Sequence, residues 1–374
     1  MTPRIKYVEA IPVSAPRNRE AARGTAGSPT ELGAHVGAYQ WSKTVATVYS
    51  DRLETTLVKV VLDNGLVGWG EAQAPVLPRV SAVIIEDLLA GVLIGEAFDG
   101  TRRRIEELWA RLYQTMRVRG QTGGFMLDAI SGLDLALWDL AGKLTGLPVC
   151  RLIAGDRALR QVPAYLSGLA GEDRVTFAKA HYDQGFRVFK IFFDADAPAL
   201  LRHLDDLRSA LGTEARLAVD ALWRLNWPAD AAFIAELTER KLEWLEAPFM
   251  PDVDHPPLPL PLALGESYRT VRELRPLLPV TDILQPDLGR SGITETLRWA
   301  ELGKPIVPHV SIAMGPQIAA AIHVVAALGH APLCEYNPAV FAFANQHLRH
   351  PLLMRDAEYV VPTTPGLGID VTFA

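Results

Sequence analysis

The sequence predicts an α/β protein built from a (β/α)7β TIM-like barrel and an α+β N-terminal capping domain. Two observations lead to this fold class. Short apolar strands alternate with helical patterns from about residue 125 onwards, and two strand-like runs typical of an antiparallel meander precede them. We expect a capping domain at 1–124, a barrel at 125–350, and a tail at 351–374 that returns to the capping domain.

Composition limits the class of protein. Of 374 residues, 49% are hydrophobic and 21% charged, which is typical of a globular protein with a sizeable core. The formal net charge of -6 is spread along the chain, so neither nucleic acid nor a membrane surface is an expected partner. No apolar run is long enough to span a bilayer, and MTPRIKYVEA lacks the core of a signal peptide. Cys150 and Cys334 lie outside CxxC spacing, which favours buried thiols and a cytoplasmic location.

The first elements along the chain are strands. IKYVEAIPV and TTLVKVVLDNGLVGWGEA predict an antiparallel meander, with Asn64-Gly65 as a strong hairpin signal. The stretch between them, RGTAGSPTELGAHVGAYQWSK, is too long for an ordinary connection and is either a functional lid or disordered. Residues 78–119 show helical spacing, including an apolar stripe in IEELWARLYQTM, and should pack on the meander.

The second part of the chain begins with a helix predicted over residues 126–144 and ended by Gly146 and Pro148. Eight strands follow, at VPAYLS, VFKIFF, RLAVD, LEWLE, LALGE, DILQPD, PIVPHV and LCEY. From Asp220 to Glu335 the residues that end successive strands are 20 to 26 residues apart, the length of a strand plus a crossover helix. This regularity favours a closed barrel. An open doubly wound sheet is the alternative, but its glycine-rich phosphate turn is missing after the first strand.

Charged residues end strands two to eight of this series: Lys190, Asp220, Glu246, Glu266, Asp287, His309 and Glu335. The carboxyl ends of barrel strands converge on one face, so these side chains are expected to be neighbours. Asp220, Glu246 and Glu266 end three consecutive strands, and their mutual repulsion predicts a shared divalent cation. All-oxygen ligands favour Mg²⁺, with Mn²⁺ possible. The alternative is that the acids are solvated groups or helix N-caps.

Asp287 and His309 end adjacent strands of the series. A carboxylate beside an imidazole fixes its tautomer and raises its pKa, which makes the pair a candidate general base near neutral pH. The alternative is a structural histidine.

An ordered series of motifs resembles the enolase superfamily, in the mandelate racemase subgroup. The series is LDNGLVGWGEA, AISGLDLALWDLAGKLTGLPV, LAVDA, EWLEAPF, LALGES, ILQPDLGRSGITE, IVPHVS and CEYN, and it covers nearly the whole chain. The resemblance implies that Asp220, Glu246 and Glu266 are the Mg²⁺ ligands. It also implies that Asp287 and His309 form the His-Asp dyad. Glu335 would then contact the substrate carboxylate and, if protonated, donate a hydrogen bond to it as an enediolate forms.

Two positions depart from the family pattern. The second strand commonly carries Lys-x-Lys, whereas this chain has Lys190-Ile191-Phe192 and so lacks a base opposite His309. A racemase needs a base on each face, whereas a dehydratase needs only one, with a syn course expected. Lys190 is then an electrostatic partner of the substrate carboxylate. Leu222 stands where an asparagine often follows the third-strand ligand, which affects one supporting contact and not the metal.

The resulting prediction is a Mg²⁺-dependent dehydratase of an aldonate or aldarate that yields a 2-keto-3-deoxy acid. The alternatives are a racemase or epimerase with an unrecognised second base, and an inactive barrel that binds metal or ligand. The long capping loop carries His35, Tyr39 and Trp41 as predicted specificity residues, with ordinary packing as their alternative. The expected partner is a small carboxylate substrate, and by analogy the protein is expected to form a homo-oligomer.

Overall fold

The computed structural model describes residues 2–16, 32–42, 47–194, 196–330 and 332–372. The strands in this part of the chain are β1 (Ile5–Pro16), β2 (Leu32–Val36), β3 (Tyr39–Ser42), β4 (Thr47–Tyr49), β5 (Arg52–Leu62), β6 (Val67–Ala72), β7 (Gln161–Leu169), β8 (Val188–Phe192), β9 (Arg216–Asp220), β10 (Leu245–Glu246), β11 (Leu262–Leu264), β12 (Ile283–Leu284), β13 (Cys334–Tyr336), β14 (Leu353–Arg355) and β15 (Glu358–Val360).

The α-helices in the same ranges are α1 (Pro78–Val83), α2 (Ala90–Leu93), α3 (Arg102–Arg117), α4 (Gly124–Thr145), α5 (Val149–Ala154), α6 (Arg174–Asp183), α7 (Ala197–Leu211), α8 (Ala231–Glu239), α9 (Val271–Leu274), α10 (Leu288–Ala300), α11 (Pro316–Leu328) and α12 (Pro338–Gln346). A π-helical segment, Ile84–Leu89, joins α1 to α2, and short 3-10 helices lie at Gly155–Arg157 and Arg275–Leu277.

The predicted antiparallel meander is confirmed as the sheet β1-β5-β6. Gly65 adopts a φ of 89° between β5 and β6, a conformation that glycine tolerates without steric cost. The Asn64 side chain accepts a hydrogen bond from the backbone N–H of Leu66 at 3.2 Å, which stabilises the turn.

Helix α4 packs directly on this meander and is buried along most of its length. The close approach depends on glycine. A Cβ at Gly70 of β6 would overlap the carbonyl oxygen of Gly132 and lie 2.7 Å from the backbone nitrogen of Ala136, both in α4. Helix and strand therefore touch backbone to backbone, which explains the small residues in both segments.

The second part of the chain forms a parallel sheet in the order β7-β8-β9-β10-β11-β12, with β13 on the other side of β7. Parallel bridges from Leu284 to Ile306 and from Asp287 to His309 extend it beyond β12. The predicted α/β class and strand order are thus observed. No backbone pairing joins segment 306–310 to β13 within the described ranges, although the N–H of Val310 donates to Oε2 of Glu335 at 2.7 Å.

Two further segments complete the fold. Strands β14 and β15 form a hairpin that pairs antiparallel with β7, and Val371 in the tail packs near Val13 and Leu57 of the meander. The predicted lid stretch contributes β2 and β3 to the antiparallel sheet β2-β3-β4, while its residues 23–31 and 43 lie outside the described residues.

Two expectations from composition can be compared with the fold. Cys150 and Cys334 are buried and unpaired among the described residues, as predicted. None of the helices in the described ranges combines the length and the apolar character needed to cross a membrane.

The close contact between β6 and α4 predicts that a methyl group added at Gly70 destabilises the fold. Gly70→Ala should lower the free energy of unfolding by about 1–3 kcal/mol, because the new Cβ meets backbone atoms that cannot rotate away. The matched control is Gly91→Ala in α2, where no atom lies within 4 Å of the added Cβ. The control should be neutral or slightly stabilising. Urea unfolding of the two variants measures the difference, and equal midpoints would contradict the packing account.

Candidate active site

Seven charged side chains come together at the carboxyl ends of the parallel strands. All are buried: Lys190, Asp220, Glu246, Glu266, Asp287, His309 and Glu335. Register brings them together, since Asp220 pairs with Glu246 across β9 and β10, and Asp287 forms a bridge with His309. The structure thus gathers every strand-end residue that the sequence predicted, while the chemical roles assigned to them stay predictions.

Lys190 is the cation of one half of this cluster. Its Nζ lies 2.5 Å from Oε1 of Glu246 and 3.0 Å from Oε1 of Glu335. Oδ2 of Asp220 is 3.7 Å away. Burial alone would lower the pKa of Lys190, but the charges of Glu246 and Glu335 outweigh it and hold this pKa well above its usual value. Lys190 is therefore protonated and is the counter-ion of three carboxylates.

Glu335 is an acceptor in this arrangement. The Ser167 hydroxyl donates to Oε1, and the N–H of Val310 donates to Oε2. Although burial raises the pKa of Glu335, the charge of Lys190 outweighs it and lowers this pKa below its usual value. The expectation that a protonated Glu335 donates a hydrogen bond to substrate is thus not favoured by these contacts.

Glu246 is held from both sides of its carboxylate. Lys190 contacts Oε1, while Oε2 accepts hydrogen bonds from the indole N–H of Trp244 at 3.0 Å and from Nε2 of Gln285 at 2.7 Å. Three donors therefore contact this one buried carboxylate. Its position is therefore fixed by contacts from β8, β10 and the end of β12.

His309 lies between two carboxylates. Its Nδ1 is 3.0 Å from Oδ2 of Asp287, and its Nε2 is 2.8 Å from Oε2 of Glu266. Burial would lower the pKa of His309, but Glu266 and Asp287 outweigh it and raise this pKa well above its usual value. The pKa of Glu266 falls to about 2, because the charge of His309 outweighs the opposing effect of burial.

The orientation of Asp287 is fixed by two further donors. Its Oδ1 accepts the backbone N–H of Gly289 at 2.9 Å and Nε2 of Gln317 at 2.7 Å. Oδ2 is thereby left for Nδ1 of His309. This arrangement places a proton on Nδ1 and directs Nε2 toward the other carboxylates, which is the geometry of a His-Asp general base.

The cluster has an excess of negative charge, because its five carboxylates face only Lys190, His309 and, at 4.0 Å from Oδ2 of Asp287, the Nε of Arg290. Burial, and then repulsion from Glu246, raises the pKa of Asp220 well above its usual value, so one carboxylate is poorly compensated. An all-oxygen donor set with excess negative charge fits a hard divalent cation such as Mg²⁺. As now oriented, no three acidic, histidine or cysteine side chains in the described ranges form a preformed metal site. In this structure, Glu246 contacts Lys190 and Glu266 contacts His309, so these two carboxylates do not converge on a common point.

The capping part of the chain reaches this cluster through the end of β6. Buried Glu71 accepts the N–H of Met314 at 2.7 Å and of Gln317 at 3.2 Å, and burial raises its pKa to about 7. Gln73 donates to the hydroxyl of Ser311 and accepts from the guanidinium of Arg290. The meander thus supports the segment that follows His309.

Sequence reasoning missed several of these supporting residues. Ser167 ends the predicted strand VPAYLS, and Gln285 lies two residues before Asp287 on the same strand face, so strand periodicity could have indicated both. Gln317 had no such signal, because only the folded chain brings the start of α11 to the end of β12.

The predicted specificity residues are placed on the sheet β2-β3-β4. His35 is exposed, Trp41 is 39% exposed, and the Tyr39 hydroxyl accepts the backbone N–H of Leu77 at 2.9 Å. No hydrogen bond links these three side chains to the charged cluster among the described residues. Their assignment to substrate binding stays a prediction.

Two residues depart from the family pattern, Phe192 and Leu222, and the structure shows what each of them contacts. Phe192 is half-buried at the end of β8, with its ring centroid 5.9 Å from Nζ of Lys190. Leu222 offers its backbone instead of a polar side chain, since its N–H donates to Oδ1 of Asp220 at 3.0 Å. Neither side chain carries a group that transfers a proton.

Comparisons with known proteins agree with this arrangement. The mandelate racemase / muconate lactonizing enzyme N-terminal domain model matches residues 38–154, and the enolase C-terminal domain-like model matches residues 173–374. The chain is 32% identical to D-galactarolactone cycloisomerase of Agrobacterium fabrum, covering 87% of this chain and 91% of that protein. It is 28% identical to D-galactonate dehydratase of Ralstonia pickettii, over 84% of this chain and 88% of that protein.

A solved structure of an enolase superfamily member from Agrobacterium tumefaciens is similar over 99% of this chain and 97% of its own, with a TM-score of 0.87 and 31% identity. Both domain models match in chain order, and both the sequence and the structural similarity extend over most of the length. The chain therefore belongs to the enolase superfamily, in its mandelate racemase / muconate lactonizing enzyme branch.

Proposed function

We propose that this protein catalyses β-elimination from a sugar acid, most simply the dehydration of an aldonate or aldarate to a 2-keto-3-deoxy acid. The observation that carries the proposal is the dyad, in which Asp287 orients His309 so that Nε2 faces the other strand-end carboxylates. The similarity to enzymes named for galactonate and galactarolactone supports a sugar acid as the substrate class.

Removal of a proton alpha to a carboxylate creates an enediolate with two negative charges. Asp220, Glu246 and Glu266 would hold Mg²⁺, with Mn²⁺ as an alternative, and the bound ion would stabilise the second charge. Lys190 adds a fixed positive charge beside these ligands. Asp287 keeps the Nδ1 proton of His309 in place. When Glu266 no longer contacts Nε2 of His309, this nitrogen accepts the alpha proton.

The same imidazole then returns its proton to the departing oxygen on the beta carbon, which gives a syn elimination. A single base is sufficient for this course. Phe192 stands where the family commonly has the second lysine of Lys-x-Lys and cannot transfer a proton, so racemisation by two bases is disfavoured. An inactive binding protein is also disfavoured, because the seven charged groups of the cluster are all retained.

A second reaction has its own support. Consider a sugar-acid lactone whose ring oxygen is bonded to the carbon beta to the free carboxylate. Removal of the proton alpha to that carboxylate expels the ring oxygen as a carboxylate, which opens the ring without loss of water. The relative at 32% identity is named as a cycloisomerase of such a sugar-acid lactone. Dehydration and ring opening need the same base, and they differ only in the group that leaves.

The proposal extends to the fold around the site. The parallel series from β7 to β13 is proposed to close as a (β/α)7β barrel, with residues 1–124 and the tail 351–374 forming the cap over a 125–350 barrel. The hydrogen bond from Val310 to Glu335 between the two ends of the series supports closure. The cytoplasmic location and the homo-oligomer stay predictions.

The reaction class is tested by incubating the protein with Mg²⁺ in D₂O and a stereochemically complete panel of aldonates, aldarates and their lactones. At least one member should form a 2-keto acid that semicarbazide detects. The product of an open-chain acid should have lost one water, whereas the product of a lactone should differ in mass from the lactone only by deuterium uptake. An inverted epimer without elimination would instead select a racemase. A blank across the whole panel would contradict the proposal.

His309 is expected to be indispensable. His309→Asn preserves much of the side-chain shape but removes the base, so elimination and alpha-proton exchange should both fall by at least about 10²–10⁴-fold. Exposed His350 provides the control, and His350→Asn should retain full activity. Equal rates in the two variants would exclude His309 as the base.

Metal dependence can be measured without turnover. Mg²⁺ at about 100 times its dissociation constant should stabilise the folded protein by about 2.7 kcal/mol, and exhaustive chelation should abolish both stabilisation and activity. Glu266→Gln should weaken the Mg²⁺-dependent shift in thermal midpoint, whereas Glu301→Gln at an exposed site should leave it unchanged. A shift that is insensitive to Glu266 would place the ion elsewhere.

A further inference from the structure

The turn that follows the predicted metal ligand Asp220 has an unusual backbone. Leu222 and Trp223 are consecutive non-glycine residues with φ of 50° and 56°. Such left-handed conformations cost about 1–3 kcal/mol each and persist only where surrounding contacts impose them. Strain of this kind is concentrated at functional sites, so the residue that the turn presents is of interest.

Contacts from the neighbouring strand end impose this conformation. The N–H of Trp223 donates to the carbonyl of Ala247 at 2.7 Å, and the N–H of Leu225 donates to the carbonyl of Pro248 at 2.9 Å. Ala247 and Pro248 directly follow Glu246. The turn is thus fixed against the next predicted metal-ligand strand, and Arg224 lies between the two anchored residues.

The guanidinium of Arg224 is only partly used by the protein. It is half-buried, and one Nη1–H donates to the carbonyl of Phe193, just beyond the end of β8. Its Nε is buried and has no hydrogen-bond partner in the described ranges. No carboxylate in those ranges is within ion-pairing distance of it. A buried N–H without a partner costs free energy, so this side chain is suited to a ligand that supplies oxygen atoms.

The charges that act on Arg224 come both from the strand ends and from the sheet β2-β3-β4. Burial lowers its pKa, while Tyr49 of β4, Asp194 and Asp220 act in the opposite direction. Arginine remains protonated under these conditions. A positive, forked donor therefore lies within electrostatic range of the strand-end acid Asp220 and of Tyr49 in β4.

We propose that Arg224 binds a second carboxyl group at the distal end of the substrate, so that aldarates or their lactones are preferred over aldonates. This inference rests on the proposed sugar-acid function and narrows it to diacids. The first carboxylate lies at Lys190 and the predicted metal ligands, and the second pairs with the guanidinium fork. In the lactone reaction, the carboxylate released by ring opening would be stabilised by the same side chain.

The test compares an aldarate with the aldonate of the same configuration. The wild-type kcat/KM should be higher for the diacid. Arg224→Gln should lower kcat/KM for the diacid by about 10- to 100-fold, mainly through KM, because a charged hydrogen-bonding partner is lost. Activity on the aldonate should change by no more than about threefold. Arg224→Lys keeps the charge without the fork and should show a smaller loss for the diacid.

The control is Arg216→Gln at the start of β9, the strand that precedes the Arg224 turn, where Arg216 forms a surface ion pair with Glu243 at 2.8 Å. This variant should have the wild-type kcat/KM for both substrates. Equal losses on diacid and aldonate in Arg224→Gln would show a structural role and overturn the inference, as would a wild-type preference for aldonates.

A binding measurement distinguishes a failure of this inference from a failure of the proposed reaction. Calorimetry on His309→Asn measures affinity without turnover, and adding Arg224→Gln should remove the preference for the diacid. If wild-type enzyme eliminates from aldonates only, the reaction stands and the inference fails. If no acid is converted but the preference persists and depends on Arg224, the inference stands and the reaction fails.

Discussion

Electrostatic repulsion among buried carboxylates at the strand ends is the constraint on which the rest of this structure depends. Five buried acids lie close together there, and three side-chain cations, Lys190, His309 and Arg290, are present to offset them. Each carboxylate is positioned by the strand that it ends, so the repulsion cannot be relieved by moving one side chain into solvent. A divalent cation, as the proposed function requires, would offset part of this repulsion.

Support for the cluster extends well beyond the residues that form it. Gln317 and Gly289 determine which oxygen of Asp287 faces His309, and the backbone of Gln317 is held by Glu71. Glu71 belongs to the meander, which is itself packed backbone to backbone on α4. The N-terminal meander therefore contributes to the orientation of His309.

Much of this arrangement could be predicted from the sequence, because it follows from periodicity. Strand alternation and the regular separation of Asp220, Glu246, Glu266, Asp287 and His309 give the parallel series and its charged face. Asn64-Gly65 gives the meander.

Periodicity does not show which side chains pair with each other within the cluster. That Lys190 is the counter-ion of Glu246 and Glu335, and that Arg224 keeps an unpaired Nε–H, depends on rotamers and on contacts between distant segments. The sheet β2-β3-β4 was missed for a related reason, since its glycine-rich sequence carries little strand signal.

The central claim is that the acids of β9, β10 and the end of β11 exchange their present side-chain partners for a shared cation. The most direct measurement is a crystal structure grown with Mn²⁺, using anomalous scattering to locate the ion. The account predicts one ion bound by Asp220, Glu246 and Glu266, with Glu266 turned away from Nε2 of His309. An ion bound elsewhere, or these three carboxylates still paired with Lys190 and His309 at saturating Mn²⁺, would contradict it.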